Sequence, residues 1–396
     1  MPTLPRRLRP ISDTALADAS SGPYRLLFIS NGYGEDSIAA EIIRRLPAGV
    51  IAEAYPTIGN GLAFTHICPV VGPRAQLASE GWRNVKGSLR RDLATGGLAT
   101  LVPGLRFGRR IRDHYDRIVV VGDLVGVAGS FISGIRGITY LDVYKTGYGR
   151  GYSMIDRWLI RRTAKTCFCR SETLARALSE DGIDARFVGN VMMDTIPYGE
   201  YDLASRRTHP QAVALLPGSR QLTLESFALQ VAALRQLAPE KRPDIFLAVA
   251  GSVAIEALAR GSGLQMRGPM TGEAGDFGSL SDAEMTIHLS RGVTGNLLAA
   301  ADVVLSQAGT ATIQALGLGK PVLTFINPRD RAGRLRDESA LFGEARMVVP
   351  PTPDAIAMAL ERLLADSAER LRLGEIGKSR IGGRGAIHAI IEAILV

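Results

Sequence analysis

The sequence predicts an α/β protein of two doubly wound, Rossmann-like domains that face each other across a cleft. Three observations predict it. Continuous apolar runs of strand length alternate with stretches of helical spacing, the pattern of parallel sheets covered on both faces. The rhythm breaks once, near the middle, and then restarts. The length of 396 residues suits two domains at roughly 100–200 residues each.

Residues 1–22 read as a flexible N-terminal arm, and order begins at Tyr24. Arg25–Ser30 is a strand ending on a glycine turn, followed by a helix over Ser37–Leu46. Strands are predicted at Val50–Tyr55, Ile67–Val71, Ile118–Val121, Gly137–Leu141, Thr166–Cys169 and Ala185–Val188. These make the first domain, residues 23–195. Residues 196–210 mix Pro, Gly, Ser and charge, and read as a linker. The second domain, 211–375, opens with a strand at Ala212–Leu216 and a helix at Leu222–Leu237. Further strands are predicted at Ile245–Ala250, Met285–Leu289, Val303–Leu305, Pro321–Phe325 and Arg346–Val349, with helices at Thr310–Leu318 and Pro353–Ala365. The tail is helical apart from a break at Gly382–Gly383, and 376–396 reads as a C-terminal helix.

Composition narrows the function. The three cysteines, Cys68, Cys167 and Cys169, show no disulfide framework, which suits a cytoplasmic protein. No signal peptide is visible, and the longest apolar stretch, Ile118–Ile132, carries Asp123 and is too short to span a bilayer. The net charge of +8 is concentrated: Trp82–Arg117 holds nine Lys and Arg against three Asp and Glu. Apolar residues are interleaved there, which suits a peripheral protein on the anionic inner face of the cytoplasmic membrane. No helix-turn-helix, zinc-finger or RNA-binding signature accompanies the charge, so nucleic acid is not the expected partner. The five histidines are dispersed, and no metal site is expected.

Four strand-to-loop junctions carry the candidate chemistry, because ligands of such sheets bind beyond the carboxyl ends of the strands. The first is Asn31-Gly32-Tyr33-Gly34-Glu35-Asp36. Its acids oppose a phosphate and suit hydroxyl groups or a cation; Asn31, Gly32 and Gly34 are candidates for the acceptor side and Glu35 and Asp36 for the catalytic set. The second is Gly122-Asp123, a carboxylate at the tip of a buried strand, placed for general-base work. The third, Leu215-Leu216-Pro217-Gly218-Ser219-Arg220, offers backbone, hydroxyl and guanidinium donors to a phosphate. The fourth runs through Gln307, Gly309, Thr310, Ala311, Thr312 and Gln314, a glycine turn opening a helix whose N–H groups suit a pyrophosphate. It matches neither the dinucleotide fingerprint nor a P-loop.

In this order the junctions resemble the lipid-A-disaccharide synthase family, and more closely its related glycosyltransferases of unassigned acceptor. The segments that carry the resemblance are Leu215–Arg220 (LLPGSR), Gly309–Thr312 (GTAT) and Val188–Asp194 (VGNVMMD), with Gly34-Glu35-Asp36 a looser match. The resemblance implies a GT-B fold and metal-independent, inverting transfer from a UDP-sugar of the N-acetylglucosamine type to a lipid or glycolipid acceptor, with no cofactor. It puts the donor nucleotide on Gly218, Ser219, Arg220 and Gln307–Gln314, puts the acceptor on the first domain with Asn190 at its end, and makes Asp123 the base. Two positions depart from the family: Gln314 stands where Glu is usual, and the acid of the opening loop is displaced to Glu35. A UDP-sugar 2-epimerase of the same fold and a non-catalytic nucleotide binder are the alternative readings.

Overall fold

The computed structural model describes residues 23–74, 101–149, 151–218, 222–326 and 338–396. The first domain holds a six-stranded, all-parallel sheet. Its strands are β1 (Tyr24–Ser30), β2 (Val50–Pro56), β3 (Arg117–Gly122), β4 (Ile138–Asp142), β5 (Ala164–Phe168) and β6 (Ala185–Arg186), in the spatial order β2-β1-β3-β4-β5-β6. On one face lie α1 (Tyr33–Arg44) and a returning C-terminal helix. On the other lie α2 (Leu101–Ile111), α3 (Leu124–Ile132), α4 (Met154–Thr163) and α5 (Glu172–Ser179).

The second domain carries an eight-stranded sheet. Its strands are β7 (Ala212–Leu216), β8 (Asp244–Ala248), β9 (Gln265–Arg267), β10 (Asp276–Ser281), β11 (Thr286–Ser290), β12 (Val303–Ser306), β13 (Val322–Phe325) and β14 (Arg346–Val349), ordered β14-β13-β12-β7-β8-β11-β10-β9. The six strands from β14 to β11 are parallel. β10 runs against them, pairing antiparallel with β11 on one side and β9 on the other. The apolar runs Ala212–Leu216 and Val303–Leu305 are fully buried, as two-sided coverage requires. The helices α6 (Val191–Asp194), α7 (Thr223–Arg235), α8 (Ile255–Ser262), α9 (Thr294–Ala300), α10 (Thr310–Gly317), α11 (Pro353–Ala365) and α12 (Ser367–Ile381) complete the order before the last helix, α13 (Ala386–Leu395).

Three elements differ from the sequence expectation. Ile67–Val71 forms no strand; it meets the sheet through a single parallel bridge, Ala54 to Val70. Pro69 has no N–H to donate, and Gly72-Pro73 follows at once, so a ladder has nothing to grow on. Conversely, β9 and β10 escape the hydrophobic pattern because Gln265–Arg267 is exposed and Gly278 breaks β10 with a bulge.

The tail is divided at Gly382. α12 stays on the second domain, whereas α13 crosses back and buries Ile387, Ile390, Ile391 and Ile394 against Leu26, Phe28, Val119 and Val121 of the first. Asp194 fixes this crossing: its carboxylate accepts the backbone N–H of Gly385 at 2.7 Å and of Ile387 at 2.8 Å, satisfying the open end of α13.

Candidate active site

In each sheet the strand order reverses once, and the crevice at that reversal is the place where such folds hold ligands. In the first domain it lies between the carboxyl ends of β1 and β3, in the second between those of β7 and β12. The four junctions singled out in the sequence are the loops at these two places.

The first crevice is acidic, and each acid is tethered by a neutral donor. Asn31 Nδ2 donates to Asp123 Oδ1 at 2.5 Å, and the Val125 N–H donates to the same oxygen at 2.8 Å, so Asp123 also caps α3. Both bonds fall on one oxygen of a half-exposed carboxylate. Gly122 makes the approach feasible. Its φ is +147°, and a Cβ there would stand 2.1 Å from Asn31 Oδ1. Asp36 is buried and accepts the Ser30 hydroxyl at 2.5 Å. Burial pushes its carboxyl up to about 6; the Ser30 hydrogen bond opposes this and the neighbouring Glu35 charge adds to it. Glu35 is buried too. It folds back over Gly32, where a Cβ would meet Glu35 Oε2 at 2.4 Å, and accepts the Tyr144 hydroxyl. Gly34 has open space around it.

A fourth carboxylate, Asp142 at the tip of β4, was missed by the sequence reading, which ends that strand at Leu141. The signal was present: Tyr140-Leu141-Asp142 repeats the pattern of an apolar run ending in an acid. Asp142 is fully buried and accepts the Tyr152 hydroxyl at 2.6 Å and the N–H groups of Tyr144 and Lys145 at 2.8 and 3.0 Å. Burial raises its carboxyl above the ordinary range, against these hydrogen bonds. It orders the loop that carries Tyr144 onto Glu35.

The second crevice is neutral among the described residues. The Gln307 N–H donates to the Leu216 carbonyl at 2.7 Å and joins the two loops, while Gln307 Nε2 donates to Thr324 Oγ1 at 3.0 Å. Gly218 turns at φ +97°. Gly309 and Thr310 are exposed at the start of α10, and no side chain caps that helix. Its first N–H groups therefore face outward with the positive end of the helix dipole. Ala311 is half-buried. Thr312 and Gln314 turn inward. The Thr312 hydroxyl sits 2.7 Å from Ser306 Oγ and donates to the Ala308 carbonyl, and Gln314 Nε2 donates to the Met192 carbonyl at 3.0 Å. Ser219 and Arg220 lie outside the described residues. Asn190 is placed at the crossing between domains: it caps α6 through Met192 N at 3.0 Å and donates to the Ile381 carbonyl.

This architecture is shared with solved glycosyl-handling proteins. MurG of Acinetobacter baumannii superposes with a TM-score of 0.56 over 94% of this chain and 99% of its own, at 13% identity. A UDP-N-acetylglucosamine 2-epimerase gives 0.54 at 14% identity, covering 94% of each chain. A UDP-glucosyltransferase from Polygonum tinctorium gives 0.59 at 9% identity, covering 95% and 99%. The fold is GT-B. In sequence, the lipid-A-disaccharide synthase of Alkalilimnicola ehrlichii is 32% identical over 244 residues, 54% of this chain and 59% of that one. That of Aromatoleum aromaticum is 30% identical over 205 residues, 47% and 49%. Over these segments the chain is similar to the lipid-A-disaccharide synthases. It spans about half the length of the curated relatives it matches. No family model matches it. Among the described residues no helix is long and apolar enough to cross a membrane.

Proposed function

We propose that the protein is a glycosyltransferase that moves a sugar of the N-acetylglucosamine type from a UDP-sugar to a hydroxyl of a lipid-linked acceptor, with inversion and without a metal. The observation that carries this reading is the pairing of an acidic crevice with a neutral, glycine-edged one at the two switch points of a GT-B chain related to lipid-A-disaccharide synthases. The neutral crevice takes the diphosphate: the uncapped N–H groups at Gly309–Ala311 and Gly218 meet no opposing carboxylate among the described residues, and the sequence adds Ser219 and Arg220 as further donors in the adjoining loop. The acidic crevice takes the acceptor. Asp123, its carboxyl plane fixed by Asn31 and Val125, accepts the proton of the acceptor hydroxyl. The oxygen forms a bond to the anomeric carbon, the bond from that carbon to the diphosphate breaks, and UDP leaves with the electron pair. Donors already aimed at the leaving charge lower the barrier more than mobile water does.

The test is acceptor-dependent release of UDP from UDP-N-acetylglucosamine and its acylated forms in the presence of membrane lipid extract, with the new glycolipid followed by mass spectrometry. UDP is expected to raise the unfolding temperature more than ADP or GDP. Interconversion of the donor with no acceptor present would instead establish the 2-epimerase reading, toward which the extra acids Glu35 and Asp36 lean. Binding of UDP with neither reaction would leave a nucleotide binder.

A further inference from the structure

We propose that Tyr148 and Arg380 are positioning residues: their stacking across the domain boundary sets the loop after β4 and, through Tyr144, the place of Glu35 in the acidic crevice. That loop, residues 143–149, carries two tyrosines that leave it in different directions. Tyr144 stays within the first domain and donates its hydroxyl to Glu35 of α1. Tyr148 instead packs against the apolar cluster of the second domain that holds Leu316 and Ile381. The Arg380 guanidinium of α12 lies 4.7 Å from the centre of its ring. A cation over an aromatic face is held by the ring itself and does not need the hydroxyl.

The chain between the two rings is stiff. Asp142 accepts the N–H groups of Tyr144 and Lys145 at 2.8 and 3.0 Å. The Ser171 hydroxyl, at the start of α5, donates to the Thr146 carbonyl at 2.5 Å. Gly147 turns at φ +74°, and a Cβ there would stand 2.8 Å from the Leu174 nitrogen. These bonds hold the inner part of the loop to the first domain. The outer end, at Tyr148, takes its support from the second domain. A loop fixed at successive residues does not absorb a displacement of its tip by bending at one joint, so the position of Tyr148 bears on Tyr144.

From Tyr144 the contacts run on into the crevice. Glu35 folds over Gly32, and the adjoining Asn31 donates to Asp123. The geometry around Asp123 therefore depends on how the second domain, which carries the neutral crevice, is seated. A second stack supplies a control. Arg384 lies over the Tyr198 ring at 5.0 Å, also where the chain crosses between domains. Among the described residues no side-chain hydrogen bond leads from Tyr198 to either crevice. Loss of that stack loosens the boundary without reaching Glu35. The positioning stands on these contacts alone; its effect on catalysis rests on the glycosyltransferase reading.

Hydrogen–deuterium exchange of the full chain, with no ligand added, tests the positioning. Tyr148→Ala and Arg380→Gln are each expected to speed exchange about two- to fivefold at residues 143–146 and at the Asp36 amide, which donates to the Gly32 carbonyl at 2.8 Å. Tyr148→Phe keeps the ring and is expected to match the parent. Arg384→Gln is expected to leave those amides unmoved. Faster exchange confined to residues 147–149 overturns the proposal. So does no change at all, failure of Tyr148→Phe to match the parent, or the same change in Arg384→Gln. Should Tyr148→Ala fail to fold, Arg380→Gln decides. In a transfer assay Tyr148→Ala and Arg380→Gln are expected to lower turnover about tenfold at an unchanged affinity for UDP, and normal turnover in both overturns the proposal. A parent that shows the expected exchange pattern and no transfer overturns the glycosyltransferase reading and leaves the positioning intact.

Discussion

The two switch-point crevices occupy equivalent places in their sheets and have opposite chemistry. In the first, three carboxylates crowd the ends of β1 and β3, each held by a neutral partner: Asp123 by Asn31, Asp36 by Ser30, Glu35 by Tyr144. In the second, the loops after β7 and β12 contain no acid at all, and the start of α10 lies bare. Even the glycines differ. Gly122 is pressed against Asn31 with no room for a Cβ, whereas at Gly218 the nearest atom to a Cβ is the Gln307 carbonyl at 3.5 Å. The fold supplies the position of a ligand, and the loop supplies its sign. An anion is favoured in one crevice and repelled by the other, the division on which the proposed transfer from a diphosphate donor to a hydroxyl acceptor relies.

The largest effect should come from removing the carboxylate proposed as the base. Asp123→Asn keeps an α3 cap, because asparagine caps as well as aspartate, so folding should be nearly unchanged. Transfer should fall about 10²–10⁴-fold, the usual contribution of a general base, while UDP affinity measured by calorimetry stays within twofold or so of the parent. Near-normal turnover would remove Asp123 from the mechanism. Loss of UDP affinity instead would mean that the two crevices do not divide the work.

The reciprocal change reverses the sign of the neutral crevice. Gly309→Asp sets a carboxylate beside the exposed N–H groups of α10. A side-chain charge at a helix end is worth about 0.3–2 kcal/mol, and here it satisfies the helix itself while repelling a diphosphate. The variant should be as stable as the parent or slightly more so, and should bind UDP about tenfold more weakly. Tight UDP binding by Gly309→Asp would place the nucleotide elsewhere.

What the sequence made legible follows the same division. Strands buried on both faces announce themselves as unbroken apolar runs, and β1, β3, β7 and β12 were read within a residue or so, together with the loops at their ends. The edge strand β9 and its neighbour β10 were not, since β9 is exposed throughout and β10 is interrupted by a bulge at Gly278 and carries Ser279 and Ser281 in place of apolar residues. Within the candidate site, Asp123 was legible as a carboxylate at the tip of a buried strand, and Glu35 and Asp36 as acids following a glycine turn. It found neither Asp142 nor the tyrosines Tyr144 and Tyr152, whose hydrogen bonds join β4, its loop and α1 across more than a hundred residues of chain. Nor does a one-dimensional pattern show which side of α10 faces out. Gly309 and Thr310 are exposed, but Thr312 and Gln314 spend their hydrogen bonds on Ser306, Ala308 and Met192. Asn190 and Asp194 were legible as a motif, but their work in the structure is to cap α6 and α13 where the chain crosses between domains.

The smallest effect concerns pH, and it separates the crevices by titration. Asp36 is raised from 3.8 to about 6 in the folded protein, chiefly by burial. A raised carboxyl binds its proton more tightly in the native state than in the unfolded chain. Between about pH 4 and pH 6 the native state thus holds the extra proton, and stability falls as pH rises through that window. Above about pH 6 the destabilisation is fully developed, and below pH 4 it is absent because both states are protonated. Asp36→Asn keeps an oxygen to accept from Ser30 and removes the titration. It should be more stable than the parent near neutral pH, by on the order of 1 kcal/mol, with the difference vanishing toward pH 4 in denaturant titrations. A parallel pH profile for parent and variant would show that Asp36 is hydrated rather than sealed beneath Ser30. The acidic crevice would then be wetter than its neutral counterpart rather than merely more charged.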